Sequence, residues 1–331
     1  MEFKKDSLDD LLRSVIPKIV NSKTKVSSTR GDSLEVDGVL LELSNPRARL
    51  SRTEKKGTIF SCLGELLWYL SGTNAVEQIS YYLPQYANES DDGETIFGGY
   101  GPRFLGKFGT NQFENIIDLL NKKQSTRRAV IQIFDANDIA SYHKDIPCTC
   151  TLQFLLRDNL LHMYTNMRSN DAFIGLPHDI FAFTMLQEIF ARTIGVGLGK
   201  YMHFVSSLHI YMDNLPDTEI YMDEGWQEIN EMPPMPTGNP WKEIDKLLQL
   251  ESIIRKSGTV DINLEDLSNY WSDLARLLIF FRHVKDKKYS SAGNTRKIMT
   301  SNFFEIYFKS KLSKKSAFEL DEQEDLNFTG H

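Results

Sequence analysis

A cysteine follows a proline at Ile146-Pro147-Cys148, and an arginine and an acid follow twenty residues later in Asn166-Met167-Arg168-Ser169-Asn170-Asp171. Between them lie two apolar runs, Thr151–Leu156 and Leu160–Thr165, separated by Arg157-Asp158-Asn159. Runs of this length around such a polar triplet predict a β-hairpin with a tight turn. A hairpin would bring a thiol at the start of one strand beside an arginine and a carboxylate at the end of the next. That grouping suits a nucleophile acting on an anionic substrate, because a neighbouring guanidinium lowers a thiol pKa. Taken alone, a cysteine is more often a buried apolar thiol.

Other residues could join this centre. Arg127 and Arg128 precede an apolar strand, Ala129–Phe134. Paired guanidinium forks match phosphate oxygens, although such a pair is commonly a solvated corner. His209 and Tyr211 are two apart in a strand read over His203–Tyr211, so they share a face. Glu65 is the one acid in an apolar helix over Ile59–Leu70. It is a helix edge facing water unless something partners it. Asp179 stands just before a helix read from Ile180 to about Arg192, where it could be an N-cap.

The remaining elements follow from periodicity. Leu8, Leu11, Leu12, Val15, Ile16 and Ile19 place a helix within 1–24. Strands are expected at 34–44 and 47–51, with Arg30-Gly31-Asp32-Ser33 as loop. Residues 88–109 read as loop and Phe113–Leu120 as helix. Pro233, Pro234, Pro236 and Pro240 mark a connection over 223–240. Helices are expected near 241–256, 264–285 and 292–311. The domain reading is a catalytic core over 1–222, this connection, a helical extension over 241–315 packed on the core, and a mobile acidic tail over 316–331.

With 331 residues, 41% hydrophobic and 25% charged, the chain has ordinary globular composition. A net charge of −7 gives no basic field for nucleic acid. No run approaches a membrane span, and the N-terminus lacks the apolar core of a signal peptide. Three cysteines make neither a disulfide framework nor a zinc spacing, so no metal is expected and a cytoplasmic location is the natural reading.

The ordered set Gly64-Glu65-Leu66-Leu67-Trp68, Tyr100-Gly101, Thr126-Arg127-Arg128, Pro147-Cys148, Gln153-Phe154, Arg168-Ser169-Asn170-Asp171, Gly175-Leu176-Pro177 and His209-Ile210-Tyr211 resembles the thymidylate synthase family over roughly residues 25–215. The resemblance implies an α+β fold, a mixed β-sheet flanked by helices. It implies a homodimer binding a pyrimidine nucleoside monophosphate and 5,10-methylenetetrahydrofolate. Cys148 would add to carbon 6 of the base, and Glu65 would move protons through water. Arg30, Arg168 and Ser169 would hold phosphate, with Arg127 and Arg128 reaching in from the second subunit. Gln153 and Asn170 would also touch the nucleotide, and His209 and Tyr211 the sugar. Asp171, Gly175, Tyr100 and Leu83 would face the folate, Leu83 standing where the family carries a tryptophan. Cys150 has no counterpart and reads as packing.

Two departures bear on substrate and product. Asp179 replaces an asparagine that reads uracil, and a carboxyl suits the cytosine edge. Thr149 replaces a histidine. With Leu83, and with the resemblance of Asn166–Asp171 and Ser207-Leu208-His209 to the cytidylate hydroxymethylases, these imply hydroxymethylation of CMP or dCMP. The sequence leaves the sugar open. It also leaves open a thymidylate synthase methylating dUMP and a catalytically silent nucleotide-binding relative.

Overall fold

The computed structural model describes residues 1–258 and 262–312. Seven strands form one mixed sheet in the order β1-β3-β7-β6-β5-β4, with β2 pairing β3. In chain order, β1 (Glu2–Lys5) precedes α1 (Leu8–Val20), then come β2 (Lys25–Ser28) and β3 (Gly31–Leu43). Helices α2 (Ile59–Leu70), α3 (Val76–Tyr82), α4 (Tyr100–Leu105) and α5 (Gln112–Lys122) lead to β4 (Val130–Gln132). The hairpin β5 (Thr149–Arg157) and β6 (Leu160–Asp171) follows, then α6 (Gly175–Ile194), β7 (Gly197–Tyr211) and α7 (Leu215–Asp223). The chain continues through α8 (Trp241–Ser257), α9 (Asn269–Lys285) and α10 (Tyr289–Lys297).

The expected hairpin forms, because Asp158 and Asn159 both adopt positive φ, 50° and 60°. Two left-handed residues give the turn whose twist matches the flanking strands, and Asp and Asn tolerate that conformation. Pairing Thr149 with Met167 brings the Cys148 end of β5 to the Arg168 end of β6.

Several boundaries differ from the sequence reading, each for a local reason. The N-terminal helix starts only at Leu8, where Ser7 accepts from the Asp10 N–H as a cap. Before it runs β1, a short edge strand with one apolar residue and so little signal. Arg30 lies in a tight turn joining β2 to β3 rather than in an open loop. Residues 47–51 are irregular, not a strand: Ala48, Arg49 and Leu50 are buried because Arg49 pairs with Glu188 of α6 at 2.5 Å. The expected loop over 88–109 contains α4. The last expected helix is broken into α10, a 3₁₀ turn at Asn302–Phe304 and a helical stretch at 305–312. The acidic tail lies outside the described residues.

Helix α6 begins at Gly175, not at Ile180. Gly175-Leu176-Pro177 looks like a break, but proline is tolerated in a first helical turn, where its missing N–H has no partner to lose. Asp179 therefore lies inside the helix, and Ile174 holds the cap position. Most of α6 is buried, as a centrally packed helix should be.

One feature of the sheet positions the site. Buried positions alternate along β6 through Met167 and then resume at Asn170, and along β7 through Val205 and then resume at Leu208. In β3 the same phase reversal falls between Val36 and Val39. Met167 pairs with Val205 and Val39 does too, so the three reversals are level with one another. Beyond this level Ser169, Asp171, Ser207, His209 and Tyr211 all line one cavity.

Candidate active site

The cavity has a volume of about 600 Å³. Its floor is the far end of β3, β6 and β7, and its walls come from α2, the 3₁₀ segment after α3 (Leu83, Gln85, Tyr86 and Glu89), α6 and the loop before Cys148. Among the expected residues it gathers Arg30, Glu65, Leu83, Tyr100, Cys148, Arg168, Ser169, Asn170, Asp171, Gly175, Asp179, His209 and Tyr211. Gln153, Arg127 and Arg128 lie elsewhere in this subunit. Arg127 and Arg128 are exposed, and Gln153 donates to the Arg127 carbonyl at 3.0 Å.

Cys148 sits where the loop enters β5. Arg168 clamps that loop: its Nε donates to the Pro147 carbonyl at 2.9 Å and its Nη2 to the Ile146 carbonyl at 2.8 Å. The expected lowering of the thiol does not occur. Burial pushes Cys148 up from its ordinary value, and Arg168 and Arg30 pull down without cancelling it. Arg30 is already engaged, donating to Glu89 at 2.6 Å and to Asp145 at 3.3 Å. Asp145, which the sequence did not single out, has its carboxyl pushed up by burial despite Arg30.

Glu65 is buried rather than facing water. Tyr86 donates to its Oε1 at 2.8 Å and Tyr69 at 3.0 Å. These tyrosines supply the partners that a buried carboxylate requires. Asp179 faces it within the cavity. Burial holds Asp179 well above the ordinary carboxylate range, and the Glu65 charge adds to that rise. The two acids thus differ in environment, one held by phenols and the other favouring its protonated form.

On the sheet side, His209 and Tyr211 meet edge to face at 4.9 Å, and Ser169 Oγ lies 3.5 Å from His209 Nδ1. Ser207 donates to Glu35 beside them. Asp171 Oδ1 accepts from the backbone N–H groups of Phe173 and Ile174 at 2.7 and 2.6 Å. Its Oδ2 is buried with no hydrogen-bond partner among the described residues. Tyr100 is spent differently: its hydroxyl donates to Thr149 Oγ1 at 3.0 Å and accepts from the Thr149 N–H. Thr149, in place of a histidine, therefore anchors the strand behind the nucleophile.

A family model described as thymidylate synthase matches residues 9–255. The chain belongs to the thymidylate synthase family. Two phage proteins are similar in sequence. A deoxyuridylate hydroxymethyltransferase of Delftia phage PhiW-14 is 33% identical over 195 residues, 55% of this chain and 54% of that protein. One of Pseudomonas phage M6 is 34% identical over 165 residues, 49% of this chain and 47% of that protein. The chain thus spans about half the length of the curated relatives it matches. Thymidylate synthase from T4 phage has the same fold, with a TM-score of 0.57 and 21% identity over 72% of this chain and 91% of that one.

Sequence reading of this thymidylate synthase family member missed Asp145, Glu89, Tyr86 and Glu35. Each reaches the cavity through a long-range contact with no local signal. No helix among the described residues is long and apolar enough to cross a membrane.

Proposed function

We propose that the protein transfers a one-carbon unit to carbon 5 of a cytidine monophosphate and releases the hydroxymethyl nucleotide. The observation that carries this reading is the Asp179 carboxyl, placed in one cavity with Cys148 and Glu65. Cytosine presents an amine that donates and a ring nitrogen that accepts. A protonated carboxyl held up by burial offers an acceptor and a donor to that edge.

Cys148 adds to carbon 6 of the base, its proton leaving as the sulfur–carbon bond forms, and carbon 5 becomes nucleophilic. Methylenetetrahydrofolate, when bound, supplies the one-carbon unit. Asp171 Oδ2, which has no hydrogen-bond partner among the described residues, fits the N–H edge of a pterin, and Leu83 and Gly175 line the same cavity. Loss of the carbon 5 proton, as the bond from the transferred carbon to the folate nitrogen breaks and its electron pair leaves with tetrahydrofolate, would leave an exocyclic methylene on the base. Glu65 then holds water against that methylene. The water oxygen bonds the methylene carbon, Glu65 takes the water proton, and the electron pair returns through the ring to expel the Cys148 thiolate. Leu83, which lines the cavity with Glu65 and Tyr86, leaves more room for this water than a tryptophan would. The names of the two phage relatives support a hydroxymethyl rather than a methyl product.

The nucleotide phosphate needs more cations than one subunit supplies, because Arg30 is engaged by Glu89 and Asp145, and Arg168 by two carbonyls. Arg127 and Arg128 of a second subunit would meet that need in a homodimer. The sheet face away from α6 supports such pairing: Val130 and Phe204 are exposed on it, and Leu155 and Tyr164 are only half-buried.

A second reading, deoxyuridylate as substrate, is favoured by the names of the phage relatives. Product mass decides between them after incubation with methylenetetrahydrofolate and each of CMP, dCMP, UMP and dUMP. Addition of one hydroxymethyl group to a cytidine nucleotide is the expected outcome. The same gain on dUMP alone would replace cytosine by uracil, and a methyl group on dUMP would make the protein a thymidylate synthase in activity.

A further inference from the structure

A carboxylate that the proposed mechanism does not use stands beside His209 and Tyr211. Glu35 lies directly opposite His209 in the pairing of β3 with β7. Side chains of directly opposed residues share a face of the sheet, about 5 Å apart at Cβ. Tyr211 follows His209 on that face and Ser207 precedes it. These residues all line the cavity. Ser207 donates its hydroxyl to Glu35 Oε2. Ser169, which pairs with Ser207 across β6 and β7, places its Oγ 3.5 Å from His209 Nδ1.

The fold makes little use of Glu35. Among the described residues no lysine or arginine pairs with it, and only the Ser207 hydroxyl reaches its carboxyl group. Glu42, the other glutamate of β3, is held by Lys4 and Lys200 at 2.9 Å each. Glu35 is only half-buried, yet it faces the cavity with acceptor positions to spare.

A sugar hydroxyl has one proton to donate and lone pairs with which to accept. His209 and Tyr211 can each donate or accept, so alone they leave the direction of the hydroxyl open. A carboxylate only accepts. Beside it the hydroxyl proton points to Glu35, and the hydroxyl oxygen is left to accept from Tyr211 or His209. A bond to a carboxylate is also roughly twice as strong as one between neutral groups. A phosphate ester on the same oxygen removes that proton and adds negative charge, and like charges set side by side reject a partner.

We propose that Glu35, held by Ser207, binds the 3′-hydroxyl of the substrate and makes the site specific for a free mononucleotide over the same nucleotide carrying a 3′-phosphate or built into a polynucleotide. This rests on reading the cavity as a pyrimidine nucleotide site with His209 and Tyr211 at the sugar. Ribose and deoxyribose nucleotides share the 3′-hydroxyl, so the assignment holds for either sugar. Glu35 touches the substrate, and Ser207 is a positioning residue that acts through it.

The test is calorimetric binding to the full chain, without folate. The probe is whichever of CMP, dCMP, UMP and dUMP binds most tightly, together with its 3′-deoxy and 3′-phosphate analogues. The wild-type protein is expected to lose about 10–100-fold in affinity without the 3′-hydroxyl, the scale of one hydrogen bond to a charged group, and at least as much on 3′-phosphorylation. Glu35→Ala is expected to weaken the parent nucleotide at least about tenfold while leaving the 3′-deoxy analogue nearly unchanged. Glu35→Gln, which removes the charge, is expected to relieve the 3′-phosphate penalty at least about tenfold. Ser207→Ala gives a smaller loss confined to the parent, and decides by the same comparison if the Glu35 variants do not fold. Equal weakening of the parent and the 3′-deoxy analogue in folded Glu35→Ala overturns the proposal, as does an unchanged 3′-phosphate penalty in Glu35→Gln. If the wild-type protein binds a parent nucleotide and its 3′-deoxy analogue equally, the nucleotide reading stands and this assignment falls. Binding of none of the four nucleotides overturns both.

Discussion

The backbone N–H of Arg168 donates to the carbonyl of Cys148 at 2.9 Å, while the Arg168 side chain holds the two carbonyls that precede that cysteine. One residue therefore fixes the nucleophile from both sides. The hairpin makes this possible by setting the ends of β5 and β6 level. The guanidinium acts here through geometry more than through charge, since the thiol still lies above its ordinary value.

Replacing Arg168 tests the clamp. Two hydrogen bonds from a charged donor are worth about 1.5–3 kcal/mol each. Arg168→Ala is expected to lower kcat/KM for the nucleotide by about 10²–10³-fold, allowing for water filling part of the gap. Arg168→Lys keeps the charge but not the planar fork, and should recover little. Amide exchange over residues 144–149 is expected to rise in both variants. A rise in KM with unchanged exchange would show that the guanidinium serves the substrate alone.

The thiol itself gives a pH test. Only the thiolate is alkylated, and burial disfavours it. Alkylation of Cys148 by iodoacetamide, followed by mass spectrometry, should therefore have its midpoint above the ordinary value of 9.0. Arg168→Ala or Arg30→Ala removes a cation that pulls the thiol down, so either should move the midpoint higher still. A midpoint below 9.0 in the free protein would mean that the arginines outweigh burial.

The hairpin was legible in the sequence because its signals are local: two apolar runs and a turn made of residues that accept positive φ. Cys148, Arg168 and Asp171 were found with it. The state of the thiol was not legible, since desolvation depends on elements far away in the chain. Nor was the level phase reversal in β3, β6 and β7, which turns Ser207 and Glu35 toward the cavity. It belongs to three strands at once, and no single strand announces it. The start of α6 was hidden by a proline that usually marks a break, and this misplaced Asp179 as a cap. The resemblance placed Gln153 among the nucleotide ligands, yet the pairing with β4 sends it toward Arg127.

Asp179 links folding to pH with a definite sign. Its folded value is raised above the ordinary 3.8, so the fold holds the proton more tightly than the unfolded chain does. That stabilisation is complete below about 3.8 and is lost as pH rises through the folded value. Asp179→Asn removes the titration. The variant should melt above the wild-type protein at alkaline pH, and the gap should shrink as pH falls toward the acid range. A gap that widens on acidification would mean that Asp179 is held as a charged group, and would remove the donor that the cytosine reading assigns to it.

Sharing of sites between subunits can be tested without a structure of the dimer. The cations inside the cavity are engaged with Glu89, Asp145 and backbone carbonyls, while Arg127 and Arg128 stand exposed outside it. If they complete a neighbour's phosphate site, Cys148→Ala and an Arg127→Ala, Arg128→Ala double variant are each inactive alone for different reasons. Mixing them under conditions that exchange subunits creates heterodimers with one site carrying both defects and one carrying neither. Random exchange should restore about a quarter of wild-type activity, because half the dimers are mixed and each has one intact site. The recovered activity should depend on protein concentration, as subunit exchange does. No recovery, with dimers verified by native mass spectrometry, would place any role of these arginines within their own subunit.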